Sequence, residues 1–191
     1  MLPILVQEAG SEEAALASAQ EALAGFEPQF EAARIAGMRR KLGFITKHEA
    51  DAELIEELLK RMETNKADFT LTFRGLCDAA GGPEGDDQVR SLFSNPDAYD
   101  AWAVRWRMRL DKEPDSAEGR TAAMRAVNPA YIPRNHVVEA ALEAAVWRQD
   151  LKPFEELVQV LALPYEDRPG LERYAAPARP EEYVSRTFCG T

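Results

Sequence analysis

The residue types best suited to chemistry are few in this chain and lie far apart. Cysteine occurs only as Cys77 and Cys189, and histidine only as His48 and His136. This spacing predicts neither the clustered ligands of a zinc site nor a disulfide framework. A nucleophilic pair of Cys189 and His136 has no support in the surrounding pattern. We therefore expect no catalytic, cofactor-binding or metal-ligating residues in this chain.

Cys189 is the one residue for which the sequence leaves a reactive role open. It lies near the end of the chain, on a segment interrupted by prolines. An exposed thiol on such a segment can meet another thiol, and Cys189-Gly-Thr191 is similar to a dithiol motif whose second cysteine is replaced by a hydroxyl. The alternative is a cysteine that packs beside Phe188 as a small apolar side chain. Cys77, which falls on a predicted helix, is expected to be buried and inert.

Two further patterns favour structure over ligand binding. Residues 81–87 are rich in glycine, but no strand precedes them and no Gly-Lys-Ser/Thr follows, so they do not predict a phosphate loop. Their acidic residues also lack the spacing of a calcium loop. The basic residues Arg39, Arg40 and Lys41 suit the negative end of a helix, which explains them better than a phosphate site does.

The charge of the chain restricts its partners. The 191 residues include 33 acidic and 23 basic side chains, for a formal charge of -10. This acidity argues against binding to nucleic acid or to anionic membranes, although arginines alternate with Trp102 and Trp106 in one segment. No apolar run approaches the ~20 residues of a membrane span, and residues 1–6 are too short for a secretory signal. With only two cysteines, we expect a reducing, cytoplasmic compartment.

Hydrophobic periodicity predicts an all-α fold, a bundle or array of about seven to eight helices. We place a helical domain at residues 1–164 and an extended, proline-interrupted tail at 165–191. The clearest amphipathic face consists of Leu54, Ile55, Leu58 and Met62. Residues 69–73 have strand propensity, but no second strand candidate is available to pair with them, so we predict a helix there.

Local signals predict where the helices begin and end. Capping residues are expected at Ser11, Thr46 (in a capping box with Glu49), Asp68, Asn95, and Asp115 or Ser116. Pro28 is expected to end or kink the first helix, or to start the next. A short helix is predicted at residues 88–93, and the two tryptophans four residues apart predict a core stripe. The apolar residues 2–6 either end an element that begins upstream or form a frayed terminus.

The least generic stretch is residues 124–136, which joins two predicted helices. Asn128 and Ile132 each precede a proline, which pushes their backbone toward the extended region. Asn135 is placed to cap the following helix. We predict a rigid link of fixed conformation.

Residues 128–135 (Asn-Pro-Ala-Tyr-Ile-Pro-Arg-Asn) resemble the Asn-Pro-x-Tyr-x-x-Arg-Asn motif in the C-terminal part of selenoprotein O, the SelO protein adenylyltransferases. Three other segments agree with that family in order, and the resemblance covers essentially the whole chain. Cys189-Gly-Thr191 is similar to the family's ending, a cysteine or selenocysteine followed by two small residues that are often serines. The other matching segments are residues 38–43, 68–74 and 163–169.

The resemblance implies a family with a protein-kinase-like fold that binds ATP with Mg²⁺ or Mn²⁺ and transfers AMP to Ser, Thr or Tyr of protein substrates. Its nucleotide- and metal-binding residues lie upstream of the segments matched here, so none is carried over to this chain. By position, the family's regulatory disulfide with the catalytic part would involve Cys189. Gly190 and Thr191 depart from the usual serines.

We expect a non-catalytic C-terminal helical region, a fragment that packs on a kinase-like core encoded elsewhere and transfers no AMP by itself. The alternative is a free-standing helical module that binds a partner protein and has no enzymatic activity.

Overall fold

The computed structural model describes residues 11–184, and within these residues it contains nine α-helices and no β-strand. The predicted all-α fold is therefore confirmed. Two short 3-10 helices, at Pro83–Gly85 and Pro180–Glu182, accompany the α-helices. The α-helices are α1 Glu12–Lys41, α2 Asp51–Asn65, α3 Phe69–Ala79, α4 Asp86–Arg90, α5 Pro96–Leu110, α6 Ala117–Arg125, α7 Asn135–Arg148, α8 Lys152–Leu161 and α9 Glu172–Ala175.

The chain divides into two compact units, one ending at Arg39 and the other beginning at Arg40. In the first unit, α1 begins at the predicted cap, since the Ser11 hydroxyl accepts a hydrogen bond from the Ala14 N–H at 3.2 Å. Pro28 lies inside this helix, which neither ends nor restarts there. Large apolar side chains at helical spacing along α1 are each more than half exposed; they are Leu16, Leu23, Phe26 and Phe30.

The second unit is built around two buried tryptophans on α5, as the predicted core stripe requires. The rings of Trp102 and Trp106 are stacked, with centroids 5.4 Å apart, and neither residue is exposed to solvent. Each indole N–H donates to a backbone carbonyl, that of Leu54 at 2.9 Å and that of Leu42 at 3.0 Å. The polar atom of each large ring is thus satisfied, so its apolar area can be buried without an unpaired donor.

A second apolar cluster joins the link after α6 to the last helices. Its buried members are Ala130, Tyr131, Ala141, Leu157, Val160 and Tyr174. Tyr174 comes from α9, within the segment predicted as a tail, where the chain has one short helix and one 3-10 turn. The domain division at residue 164 stays a prediction.

Three of the predicted helix caps are confirmed in the second unit. In each case the side-chain oxygen of the cap accepts a hydrogen bond from a backbone N–H in the first turn. The pairs are Asp68 with Leu71 at 2.9 Å, Asn95 with Asp97 at 3.2 Å, and Ser116 with Gly119 at 3.1 Å. Ser116, not Asp115, caps α6.

Three local predictions were wrong. α2 begins at Asp51 without a side-chain cap, because the predicted capping residue Thr46 is bonded to Glu113 instead. Asn135 is the first residue of α7 and does not cap it; the position before it is held by Arg134. The short helix covers Asp86–Arg90 rather than residues 88–93, since the chain already turns in the 3-10 helix that precedes it.

Candidate functional site

Four sequence segments that lie far apart in the chain meet in one place in the second unit. They are residues 40–43, which are the part of the 38–43 segment that belongs to this unit, and residues 68–74, 128–135 and 163–169. We call this place the motif junction. Its polar side chains are Lys41, Asp68, Arg74, Asn128, Tyr131, Arg134, Asp167 and Arg168.

Asn128 lies at the centre of the motif junction and is completely buried. Its side-chain N–H₂ donates to the backbone carbonyl of Lys41 at 2.9 Å. The Lys41 ammonium donates in return to the Val127 carbonyl at 2.9 Å and to the Asn128 side-chain oxygen at 3.3 Å. Because both the nitrogen and the oxygen of this buried amide form hydrogen bonds, Asn128 fixes the link against the end of α1.

Arg74 connects α3 to two later parts of the chain. Its guanidinium donates to the backbone carbonyls of Asn128 at 2.8 Å and Arg125 at 3.1 Å. It also donates to the Tyr165 carbonyl at 3.1 Å and forms an ion pair with Asp167 at 2.5 Å. The Arg74 side chain is 9% exposed, so a single planar group holds α3, the link and the segment after α8 together.

Tyr131 ties the link to residues 164–168. The backbone N–H groups of Ala130 and Tyr131 both donate to the Pro164 carbonyl, at 2.7 and 3.1 Å. The Tyr131 phenol accepts from the Arg168 N–H at 3.0 Å and donates to the Arg168 carbonyl at 3.2 Å. The extended backbone expected at Asn128 and Ile132 stays a prediction.

Arg134 and Asp68 form a bidentate ion pair, with N–O distances of 2.5 and 3.0 Å. Arg134 also donates to the Ala175 carbonyl at 2.8 Å, which anchors α9. Burial raises the pKa of the Asp68 carboxyl, but the bonds from Arg134 and from the Leu71 N–H outweigh it, so that the net pKa is lowered. Asp68 therefore stays ionised and serves both as a helix cap and as an ion-pair partner.

Two nucleophilic side chains, Cys77 and Lys41, lie at or beside the motif junction, and each is engaged by hydrogen bonds. Cys77 is buried, as predicted, and its sulfur lies 3.5 Å from the Asn128 side-chain nitrogen. Burial raises the pKa of the Cys77 thiol, which disfavours the thiolate that reacts. Desolvation lowers the pKa of Lys41, but its donors are directed at the link. The geometry of the motif junction is that of a structural clamp.

A second buried polar network lies between α2 and α5 and was missed by the sequence reasoning. Arg109 bonds to Asp51 at 2.7 Å and to Glu113 at 2.5 Å. Glu113 also accepts from the Thr46 hydroxyl at 2.7 Å and from the backbone N–H groups of Ile45 and Thr46. Only the i,i+4 spacing of Arg109 and Glu113 is visible in the sequence; the other partners lie more than 50 residues away.

The residues first considered for chemistry do not form a described site. Cys189 lies outside the described residues, so its proposed reactivity stays a prediction. His136 lines an open cleft of about 480 Å³, together with Glu156 and Arg173, which already pair with each other. Within residues 11–184, no three or more His, Cys, Asp or Glu side chains are placed to hold a metal ion. None of the helices described is both long and apolar enough to cross a membrane.

Comparisons with known proteins agree on one family. Residues 5–162 match the family model described as protein adenylyltransferase SelO. A protein nucleotidyltransferase YdiU of Rhodopseudomonas palustris (strain BisB18) is 55% identical over 94% of this chain and 36% of its own length. A protein of the same name from Methylorubrum populi is 52% identical over the whole chain and 39% of its own length. The chain thus spans well under half the length of these curated relatives.

Proposed function

Because this chain belongs to the SelO family of protein adenylyltransferases, we propose that it is the family's C-terminal helical region, which supports a kinase-like catalytic core encoded outside these residues. In the longer protein, this region would pack on the core without taking part in AMP transfer. The core would bind ATP, the AMP donor, with Mg²⁺ or Mn²⁺, and would modify Ser, Thr or Tyr of protein substrates in the cytoplasm.

The observation that carries this proposal is the engagement of the family motifs with one another. Arg74, Asn128 and Arg134 direct their polar groups at backbone carbonyls or at carboxylates of the same unit. Side chains whose polar groups already form hydrogen bonds or ion pairs within the unit stabilise the fold and are poorly available to a substrate.

The proposal is tested by incubating the purified chain with labelled ATP, Mg²⁺ or Mn²⁺ and a mixture of protein substrates. The full-length Rhodopseudomonas palustris relative serves as the positive control. We expect no label above background with this chain alone. Robust, metal-dependent labelling by the isolated chain would overturn the proposal.

Two parts of the proposal have their own tests. If the reading frame continues upstream of Met1 into a kinase-like sequence, the helical region has its core in the same polypeptide; if not, the free-standing interaction module is favoured. A regulatory role for Cys189 predicts that thiol titration of the folded chain detects one accessible cysteine. That signal should be lost in Cys189→Ser, while the buried Cys77 stays unreactive.

A further inference from the structure

One surface of the second unit carries large apolar side chains on two neighbouring helices and on the short connection between them. We call it the α7–α8 face; it consists of Leu142, Val146, Leu151, Phe154 and Val158. These residues are 47, 65, 56, 48 and 51% exposed, respectively. Exposed apolar residues are ordinary when single, but a contiguous group marks a surface that contacts something else.

The arrangement of α7 and α8 brings these side chains to the same side. The two helices contact each other and are joined by a connection of only three residues, Gln149 to Leu151, so they run antiparallel. Leu142 follows the buried Ala141, and Val158 follows the buried Leu157. Each exposed residue is therefore turned about 100° round its helix from a core residue.

On each helix, two exposed apolar residues are four positions apart. Val146 lies four residues after Leu142, and Phe154 lies four residues before Val158, so each pair shares one side of its helix. The cluster that includes Ala141, Leu157 and Val160 occupies the other side. The α7–α8 face is thus a second apolar side of a helix pair that already buries one such side, which is the pattern of helices placed between two layers.

The comparisons indicate what covers this face. More than three fifths of the length of the Rhodopseudomonas and Methylorubrum relatives lies outside the stretch that matches this chain. The family model, which ends at residue 162, includes all five residues of the face. The unmatched length is chain that can cover an apolar face of this region, so the occupant to which we commit is the rest of the same polypeptide.

We propose that the α7–α8 face is the surface on which the helical region docks against the remainder of the SelO-type polypeptide. This inference rests on the proposed function and adds to it which side of the region meets the core. Two of the other exposed apolar residues of the second unit, Val104 and Met108 on α5, lie outside the proposed contact.

The test compares side-chain accessibility in a long and a short protein by hydroxyl-radical footprinting. The short protein is this chain alone. The long protein is the full-length Rhodopseudomonas palustris relative in which this chain replaces the 55% identical stretch. We expect the five residues of the face to lose most of their labelling in the long protein, at least three-fold. Val104 and Met108, which are 61 and 63% exposed, should label equally in both.

A matched pair of variants provides an independent measurement in the same long protein. Val146→Asp and Val104→Asp make the same change at positions of similar exposure, 65 and 61%. We expect Val146→Asp to restore labelling of Phe154 and Val158 and to lower the thermal unfolding temperature of the long protein. Val104→Asp should change neither the labelling of Phe154 and Val158 nor the thermal unfolding temperature.

The outcomes separate this inference from the proposed function. If the long protein transfers AMP while the face labels as strongly as in the short one, the docking surface is wrong and the proposed function stands. If the short chain transfers AMP by itself, the proposed function is wrong. If the short chain dimerises and protects the face as its concentration rises, a second copy is the occupant and the inference fails. A long protein that does not fold, while the unmodified relative does, also contradicts it.

Discussion

At the scale of single residues, the second unit depends on a few buried polar side chains with several partners each. Asn128 and Arg74 in the motif junction and Glu113 beside α5 are mostly or fully buried, and each joins segments that are distant in sequence. Removing one partner from such a group leaves the others desolvated and unpaired, which costs more than the bond itself contributed.

Replacing Asn128 should therefore destabilise the protein more than replacing the other asparagine of the link. Asn128→Ala removes the donor to the Lys41 carbonyl and the acceptor of the Lys41 ammonium. We expect its free energy of unfolding, measured with urea, to fall by about 1–3 kcal/mol. Asn135→Ala is the control, because Asn135 is exposed; its change should stay within about 0.5 kcal/mol. Equal effects of the two substitutions would contradict the clamp.

Glu113 should make stability depend on pH. Burial raises the pKa of its carboxyl, but the hydrogen bonds from Thr46 and Arg109 outweigh burial and leave the pKa lowered in the folded protein. Such a group stabilises the fold above its unfolded pKa of about 4.3, and this contribution is lost as the pH falls through the folded pKa.

We therefore expect Glu113→Gln to destabilise the protein most at neutral pH, and the difference from the wild type to shrink between pH 5 and pH 3. Urea unfolding of both proteins at several pH values measures this difference in stability. Glu143→Gln, at an exposed position on α7, should give the same pH profile as the wild type. A difference for Glu113→Gln that does not change with pH would show that charge is not the cause.

At the scale of the helices, sequence reasoning succeeded where the signal is local. The buried side of α2, including Leu54 and Leu58, follows from periodicity, and the caps Asp68, Asn95 and Ser116 act on N–H groups within three residues. It failed at Thr46, whose side chain bonds to Glu113, 67 residues away, while α2 begins only at Asp51. A sequence pattern shows only residues that are close in the chain, so it cannot reveal a competing partner that lies far away in sequence.

The motif junction could be predicted only in part, for the same reason. The sequence identified residues 128–135 as a rigid link and matched all four segments to one family. It gave no reason to pair Arg74 with Asp167, which lies 93 residues further on, or Arg134 with Asp68. The apolar pattern of α7 was also recognised, yet periodicity does not distinguish a side that packs inside the unit from one that is exposed.

Pro28 gives a prediction at the helix scale. A proline in a helix interior lacks the N–H that would donate to the carbonyl four residues earlier, and its ring crowds the same turn, at a cost of about 3 kcal/mol. Pro28→Ala should therefore slow amide hydrogen exchange in the turns on either side of residue 28. Gln29→Ala, at the exposed neighbouring position, should leave exchange nearly unchanged. Unaltered exchange in Pro28→Ala would mean that this part of α1 does not limit opening.

At the scale of the whole molecule, the segment after α8 is expected to contribute to stability. Tyr174 is 4% exposed within the second apolar cluster, and Asp167 pairs with Arg74. A chain that ends after Pro164 loses both and should be destabilised by at least about 3 kcal/mol, the usual effect of deleting a buried aromatic side chain.

A chain that ends after Ala176 is the matched control for this truncation, since it keeps Tyr174, Asp167 and the carbonyl that Arg134 binds. Its stability should be close to that of the full chain. Denaturant unfolding of the three proteins makes the comparison. If the chain that ends after Pro164 is as stable as the chain that ends after Ala176, residues 165–176 contribute nothing to stability and the prediction is wrong.

The long sequence separation between Arg74 and its ion-pair partner has a consequence for folding during synthesis in the cell. Its ion-pair partner is translated 93 residues after it, which at roughly 5–20 residues per second takes about 5 to 19 s. During that interval the Arg74 guanidinium on α3 can bond only to the earlier Arg125 and Asn128 carbonyls. The nascent protein therefore exposes this side of α3 to chaperones until residues 163–169 emerge and the ion pair with Asp167 forms.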